Sequence, residues 1–184
     1  MLNGHRYFKI FNMIRTILIA FILLCLNTEF ILSQDSKPCS APEFSQFNFW
    51  VGKWNLEWKN EDGSTGYGTN NITKPLGDCV IEEHFSTADS SFRGKSVSTY
   101  NTHKKLWQQT WVDNNGAYLD FTGGFEDGKM ILSRKAMNRE GKEVIQRMVW
   151  YNIIENEFDW NWELSRDDGS SWNVLWKIHY TRAE

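Results

Sequence analysis

Apolar and polar residues alternate along most of the chain after residue 52, in short runs separated by turn-forming residues. Within residues 158–164, every second residue is Phe, Trp or Leu, and each residue between them is polar. A period of two is typical of a β-strand with one buried face. The pattern therefore predicts an all-β protein with ten strands, at residues 53–59, 66–74, 79–86, 94–101, 105–113, 117–123, 128–135, 144–153, 157–165 and 171–181.

The turns between these runs carry glycine after Asn or Asp, as in residues 114–116, 126–128 and 168–169. Such pairs tolerate the positive φ that tight hairpins require. Residues 165–172 also match the Asp-box pattern S-x-D-x-G-x-[ST]-W, which indicates a hairpin held by Asp and Ser and packed by Trp. Long strands in strict succession favour an antiparallel up-and-down barrel, which has no open edges, over a sandwich. A short helical turn is predicted at residues 42–50, ahead of the first strand.

The same alternation predicts which side chains face the barrel interior. The polar candidates there are Glu83, Gln109 and Arg147, with Tyr100 and Tyr180. A buried charge is unfavourable unless it is paired, so Glu83 and Arg147 are predicted to pair, either to orient or act on a polar ligand group or as a structural ion pair. The aromatic candidates for ligand contact are Trp111, Trp160, Trp162 and Trp176. Alternate residues of the last strand are predicted to share one face, and these are Trp172, Val174, Trp176, Ile178 and Tyr180.

Composition and charge exclude several functional classes. Aromatic residues make up 15% of the chain, with 10 Trp, while the formal net charge is only −3 and no Lys/Arg cluster is present. Nucleic acid is therefore not a predicted partner. After the first segment, the only histidines are His84, His103 and His179, and their spacing does not match a metal site or give a haem ligand. Neither a metal nor a cofactor is predicted, and Glu82 with His84 is interpreted as an exposed pair.

The first 33 residues predict export. A basic start precedes the apolar run of residues 16–26, which is shorter than the 20 or so residues of a membrane span. Residues 1–33 are therefore interpreted as a signal peptide and residues 34–184 as a single secreted or periplasmic domain without stable membrane insertion. Cys39 and Cys79 remain in that domain, and an oxidising compartment favours a disulfide between them.

The motif Gly52-x-Trp54 at the start of the first strand resembles the signature of lipocalins and other calycins. In those proteins the Trp plugs the closed end of the barrel and a basic residue of the last strand packs over it; Lys177 and Arg182 are both candidates here. The segments 42–54, 76–83, 107–113 and 167–172 resemble an exported bacterial calycin-like family of unknown function. The resemblance implies a lipocalin-like barrel closed by Gly52 and Trp54, and it implies no activity.

Three functions remain open from the sequence. The first is binding of a small apolar or aromatic molecule inside the barrel. The second is a cofactor-independent lyase or isomerase that uses Glu83 and a Tyr. The third is an interaction module whose interior is filled by Trp side chains.

Overall fold

Ten antiparallel strands close into a barrel in the computed structural model, which describes residues 37–184. Each strand pairs with its neighbours in sequence, and β1 pairs with β10, which confirms the predicted all-β up-and-down barrel. The predicted signal peptide, residues 1–33, lies outside the described residues. The strands are β1 Gly52–Lys59, β2 Thr65–Thr73, β3 Ile81–Thr87, β4 Arg93–Asn101, β5 Leu106–Asp113, β6 Tyr118–Glu126, β7 Lys129–Met137, β8 Glu143–Tyr151, β9 Glu157–Ser165 and β10 Asn173–Arg182.

Side-chain alternation on each strand separates a core face from a solvent face. On β3, Ile81, Glu83 and Phe85 are buried while the residues between them are only partly so. The turns follow the predicted chemistry: Asp127 and Gly128 join β6 to β7 with φ of 48° and 75°. Two consecutive residues with positive φ give a turn whose twist matches that of the strands.

Two short 3₁₀ helices, Pro42–Ser45 and Asn48–Trp50, lie at the end of the barrel where β1 begins. Phe47, just before the second helix, and Trp50 at its end are fully buried and pack edge-on against Trp107 and Trp150, at ring-centroid distances of 4.9 and 5.2 Å. This segment is the predicted helical turn. It fills the end of the barrel where β1 begins, which is called the lower end below. No helix within residues 37–184 has the length and apolar character needed to cross a bilayer.

Trp54 seals the same end from the first strand. Its side chain is buried, and its indole Nε1 donates a hydrogen bond of 2.7 Å to the carbonyl oxygen of Trp50. The guanidinium of Arg182 lies 4.2 Å from the centre of the Trp54 ring, and its Nη2 donates to the carbonyl oxygen of Glu155 at 3.0 Å. Of the two basic candidates of the last strand, Arg182 is the one that covers Trp54.

A β-bulge in β10 corrects the predicted face of two residues. Val174 pairs with Glu163 and Trp176 pairs with Trp162, so Leu175 is an extra residue that reverses the alternation. Trp176, Ile178 and Tyr180 point inward as predicted, whereas Val174 is 53% exposed on the outside. The prediction that Trp172 and Val174 share the inner face is wrong, because a bulge shifts every residue on one side of it to the opposite face.

Cys39 and Cys79 form the predicted disulfide, with their Cα atoms 5.1 Å apart. The bond joins the segment before the first 3₁₀ helix to the loop before β3, and so holds the N-terminal segment against the lower end of the barrel. A disulfide indicates that the protein folds in an oxidising environment.

Gly123 of β6 is expected to tolerate no side chain, because a Cβ there would overlap the backbone carbonyl of Ile131 on β7. Gly124, the next residue of the same strand, has open space at the corresponding position. We expect Gly123→Ala to lower the free energy of unfolding by roughly 1–3 kcal/mol and Gly124→Ala to change it by less than about 1 kcal/mol. Urea denaturation of both variants tests this, and equal effects would contradict the close β6–β7 contact.

Candidate functional site

The upper half of the barrel holds a cavity of about 230 Å³. It extends from Glu83, Ile178 and Tyr180 in the middle of the barrel to Asp113, the last residue of β5, at the rim opposite the 3₁₀ helices. Side chains therefore do not fill the upper half of the interior. The lining residues are Glu83, Phe85, Phe92, Trp111, Asp113, Leu119, Phe121, Met148, Trp150, Trp160, Trp162, Trp176, Ile178 and Tyr180.

Aromatic rings from six strands build most of the cavity wall. Trp160 of β9 stands between Trp150 of β8 and Trp176 of β10, at centroid distances of 6.4 and 5.9 Å. Phe85 of β3 continues this chain of contacts from Trp176 to Trp111 of β5. Trp111 lies directly over Gly94, where any Cβ would overlap its ring. A glycine on β4 thus makes room for the Trp111 indole in the cavity wall.

Glu83 is the polar centre of the cavity floor. Its Oε1 accepts a hydrogen bond of 2.6 Å from Asn70 Nδ2, and its Oε2 accepts one of 2.6 Å from Ser96 Oγ. Asn70 Nδ2 also lies 3.3 Å from the hydroxyl oxygen of Tyr180. Ser96 is the direct cross-strand partner of Glu83, and Asn70 comes from β2 on the other side. Three neighbouring strands therefore fix the carboxyl group in one orientation.

Burial controls the protonation of this cluster. Loss of water raises the pKa of Glu83 to about 7, against the opposing effect of the hydrogen bonds from Ser96 and Asn70 and of the positive charge His84 can carry. The pKa of Tyr180 is raised by burial and by the neighbouring Glu83 charge, so the phenol stays neutral. Glu83 can consequently lose or keep its proton near neutral pH, which an exposed glutamate cannot do.

Asp113 is the second acid of the cavity and lies at its rim. Burial raises its pKa, but hydrogen bonds from the Trp111 indole and from the backbone N–H groups of Ala117 and Asn115 outweigh that effect. The net result is a pKa below the usual value for Asp. Asp113 is therefore ionised at the pH values at which Glu83 titrates.

The structure brings six of the nine predicted ligand-binding residues to the cavity wall, namely Glu83, Trp111, Trp160, Trp162, Trp176 and Tyr180. Tyr100 lies instead at the lower end, where its ring packs against Phe44 and Trp107. Gln109 is buried on the inner face of β5 below the cavity, and its Nε2 donates to Ser98 Oγ at 2.9 Å. Tyr100 and Gln109 therefore contribute to packing of the barrel interior and not to the cavity surface.

Arg147 is on the outer face of β8, and the predicted Glu83–Arg147 pair does not form. Its Nε donates to Glu163 Oε2 at 2.6 Å on the neighbouring strand β9, and its guanidinium stacks 3.6 Å from the ring of Trp172. Glu163 is nevertheless only 6% exposed. The Asp-box hairpin places Trp172 over this part of the outer surface. The Arg147–Glu163 pair therefore faces outward, yet Glu163 is as little exposed as a residue of the interior.

The sequence reasoning missed both hydrogen-bond partners of Glu83 and part of the aromatic wall. Met148 and Trp150 lie two residues apart on β8 and therefore share one face of the strand. Their spacing could have identified the inner face of β8 if Arg147 had been assigned to the outer face. Asn70 and Ser96 carry no such signal, because their role depends on strand pairing. The other lining residues outside the predicted ligand-binding set are Phe85, Phe92, Asp113, Leu119, Phe121 and Ile178, of which Ile178 was assigned to the face of Trp176 and Tyr180.

The histidines of the described residues lie outside the cavity. His84 Nε2 and Glu82 Oε1 are 2.7 Å apart on the outer face of β3, and His179 Nδ1 lies 3.1 Å from Asp159 Oδ1 on the outside of β10. Within residues 37–184, no group of three or more His, Cys, Asp or Glu side chains is arranged to hold a metal ion.

The chain matches no protein-family model and no curated protein. Among solved structures it is similar to that of EF1p2_mFAP2b bound to DFHBI, with 12% sequence identity and a TM-score of 0.38. The similarity covers 77% of this chain and 99% of the other. A likeness of this size says nothing about what this chain binds, so the functional argument rests on the cavity itself.

Proposed function

We propose that this protein binds one small, largely apolar or aromatic molecule inside its barrel. The observation that carries the proposal is the open cavity walled by aromatic rings, with a single hydrogen-bonded carboxyl group on its floor. Concave apolar sites with a few fixed polar groups are the usual form of small-molecule sites. The rings supply contact area, and Glu83 supplies the polar contact that selects among ligands.

The volume of the cavity limits the size of the ligand. At about 230 Å³ it is larger than an apolar cavity of about 150 Å³ that accommodates benzene, and smaller than the roughly 300–1,000 Å³ typical of drug-sized ligands. One ring with a few substituents, or two fused rings, matches this volume. A long acyl chain does not.

Toluene is a suitable first probe of this proposal. We expect saturable binding at one site, seen by titration calorimetry and as a rise in Tm. Leu119→Trp, which places an indole at the mouth of the cavity, should abolish binding. Leu175→Trp adds the same group to an exposed position on the outer surface and should leave binding intact. Equal binding by the two variants, or no binding to the unmodified protein, would contradict a ligand site in the barrel.

A proton-transfer enzyme of the lyase or isomerase type is the second candidate. The favouring observation is that Glu83, with a pKa of about 7, faces the cavity beside the neutral Tyr180, and a general acid or base acts best when its pKa is near the working pH. With a candidate substrate, Glu83→Gln should abolish turnover in an enzyme while substrate still binds. In a carrier it should change affinity alone.

Two further proposals concern the class and location of the protein. We infer export to the periplasm or the cell exterior from the predicted signal peptide, and the Cys39–Cys79 disulfide supports it. Mass measurement of the mature N-terminus in the native host tests the export proposal.

We also propose that the chain is calycin-like. The position of Trp54 at the closed end of the barrel, beneath Arg182, supports this proposal.

A further inference from the structure

The charged side chains that line the cavity are both acids. Glu83 lies on the floor and Asp113 at the rim, and none of the lining residues in the described part of the chain is Lys, Arg or His. The remaining wall is aromatic or aliphatic apart from the neutral hydroxyl of Tyr180. An anionic ligand would meet two carboxylates there and no positively charged lining residue.

The rings of the wall stand at steep angles to one another. The planes of Trp150 and Trp160 meet at 75°, those of Trp160 and Trp176 at 88°, and those of Phe85 and Trp176 at 82°. Rings that enclose a space at such angles do not form a single flat stacking surface. A cation is attracted to the negative face of an aromatic ring, and boxes of such rings are a known means of binding substituted ammonium groups.

Glu83 provides a partner for that positive charge. Each of its oxygens accepts one hydrogen bond, from Asn70 or Ser96, and a carboxylate oxygen can accept two. Capacity therefore remains on the carboxylate when both partners are in place. The two donors fix the group in position without neutralising it, since Asn and Ser carry no charge.

The neighbouring positive groups are engaged elsewhere. Arg134, on the inner face of β7 towards the rim, donates to Gln146 Oε1 at 2.8 Å, and its guanidinium lies 5.9 Å from the centre of the Phe121 ring. Its side chain does not line the cavity. His84 follows Glu83 in sequence but points to the outer face and bonds Glu82.

We propose that the ligand of this cavity is an organic cation: a substituted ammonium ion with a small apolar or aromatic body, its charge held between Glu83 and the surrounding indole rings. This inference rests on the proposed function, because it names the chemical class of the molecule bound in the same cavity. Asp113 at the rim attracts the same class of ligand to the mouth.

Two probes of the same shape test the inference. Phenyltrimethylammonium and tert-butylbenzene differ in one atom and in charge. In titrations at pH 8 we expect the cation to bind at least about tenfold more tightly. Glu83→Gln should lower the affinity for the cation by about tenfold or more and change the affinity for tert-butylbenzene by less than about threefold. Glu82→Gln, on the outer face of the same strand, should leave both affinities unchanged.

The pH dependence gives a readout on the unmodified protein. A quaternary ammonium ion does not titrate, so any change must come from the protein. Because Glu83 with its pKa of about 7 must ionise to hold the cation, affinity should fall by about tenfold for each pH unit below 7, until it reaches the affinity of Glu83→Gln. Of the other groups near the site, Asp113 has a pKa below its usual value and Tyr180 a pKa above it, so neither changes charge in this range, and Arg134 is the basic side chain on the inner face of β7. His84→Gln should keep this slope, and Glu83→Gln should remove it.

The outcomes separate this inference from the proposed function. If tert-butylbenzene binds as well as or better than the cation, the ligand class is wrong while ligand binding in the barrel stands. If neither probe binds the unmodified protein, the proposed function fails as well. The inference would also be overturned if the affinity for the cation changed neither with pH nor on Glu83→Gln, because the positive charge would then be bound by other residues.

Discussion

Glu83→Gln is expected to stabilise the ligand-free protein by about 3 kcal/mol at pH 8 and to have almost no effect at pH 4. The carboxyl group has a pKa of about 7 in the folded barrel and 4.5 as its ordinary value. Burial of Glu83 therefore favours its neutral form, and ionisation of the folded state is unfavourable. An amide keeps the shape of the side chain and has no charge to lose or gain.

The sign of the effect follows from which state binds the proton. Below about pH 4, Glu83 is protonated in both the folded and the unfolded chain and contributes no difference. Between about pH 4.5 and 7 the unfolded chain releases the proton while the folded chain keeps it, so stability declines as the pH rises. Above pH 7 both states are ionised, and the full penalty of about 3 kcal/mol is present.

The hydrogen bonds around Glu83 accommodate the substitution. The amide oxygen can accept from Asn70 Nδ2 as the carboxylate does, and the amide nitrogen can donate to Ser96 Oγ, which can reorient its hydrogen. Asn70 Oδ1, a buried atom without a partner among the described residues, is a further acceptor. The Ser96 hydroxyl loses Oε2 as its acceptor in this arrangement, as it also does when Glu83 itself carries a proton on Oε2.

Urea denaturation of Glu83→Gln and the unmodified protein from pH 4 to pH 9 checks this prediction. The difference in the free energy of unfolding should grow with pH. Several surface aspartates have pKa values below the usual range, among them Asp89 and Asp167, but they are common to both proteins and cancel in the difference. Glu82→Gln, which removes an exposed pair with His84, should differ by less than about 1 kcal/mol at every pH. If Glu83→Gln destabilised the protein at pH 8, this would contradict the prediction that ionised Glu83 is unfavourable on the cavity floor.

Loss of the Cys39–Cys79 disulfide is expected to lower the free energy of unfolding by about 4 kcal/mol. The bond closes a loop with a sequence separation of 40 residues, and its removal restores chain entropy to the unfolded state. The loop contains the two 3₁₀ helices that cover the lower end of the barrel, as well as β1 and β2. The double variant Cys39→Ser, Cys79→Ser avoids leaving a free thiol.

Toluene affinity provides the control for this second prediction. The disulfide lies at the closed end and the cavity opens at the other, so the folded double variant should bind toluene as tightly as the unmodified protein. Dithiothreitol should lower the stability of the unmodified protein to that of the variant and have no effect on the variant itself. A stability change below about 1 kcal/mol would show that packing of Phe47 and Trp50 holds the segment without the bond.

Several features could be derived from the sequence because they depend on local patterns. In β9 every inward position is apolar and every outward one polar, so Trp160 and Trp162 could be assigned to the interior. The pairs Asn115-Gly116 and Asp127-Gly128 predicted hairpin turns, and the regular succession of strands predicted the closed barrel. Each of these signals is carried by residues that are neighbours along the chain.

Other features escaped sequence reasoning because distant segments produce them. The outer face of β8 is covered by Trp172, so Arg147 and Glu163 could not be told from an inner pair by polarity alone. The extra residue Leu175 reverses the faces in β10, and no local pattern marks a bulge.

The alternation of residues along this chain determined an all-β barrel, its aromatic interior and the presence of Glu83 in that interior, because a strand of period two must bury its apolar face. The tertiary structure alone decided that a cavity remains among the Trp side chains, and that Glu83 meets Asn70 and Ser96 there and not Arg147. Strand register and the packing of bulky rings set those contacts, and both depend on residues far apart in sequence.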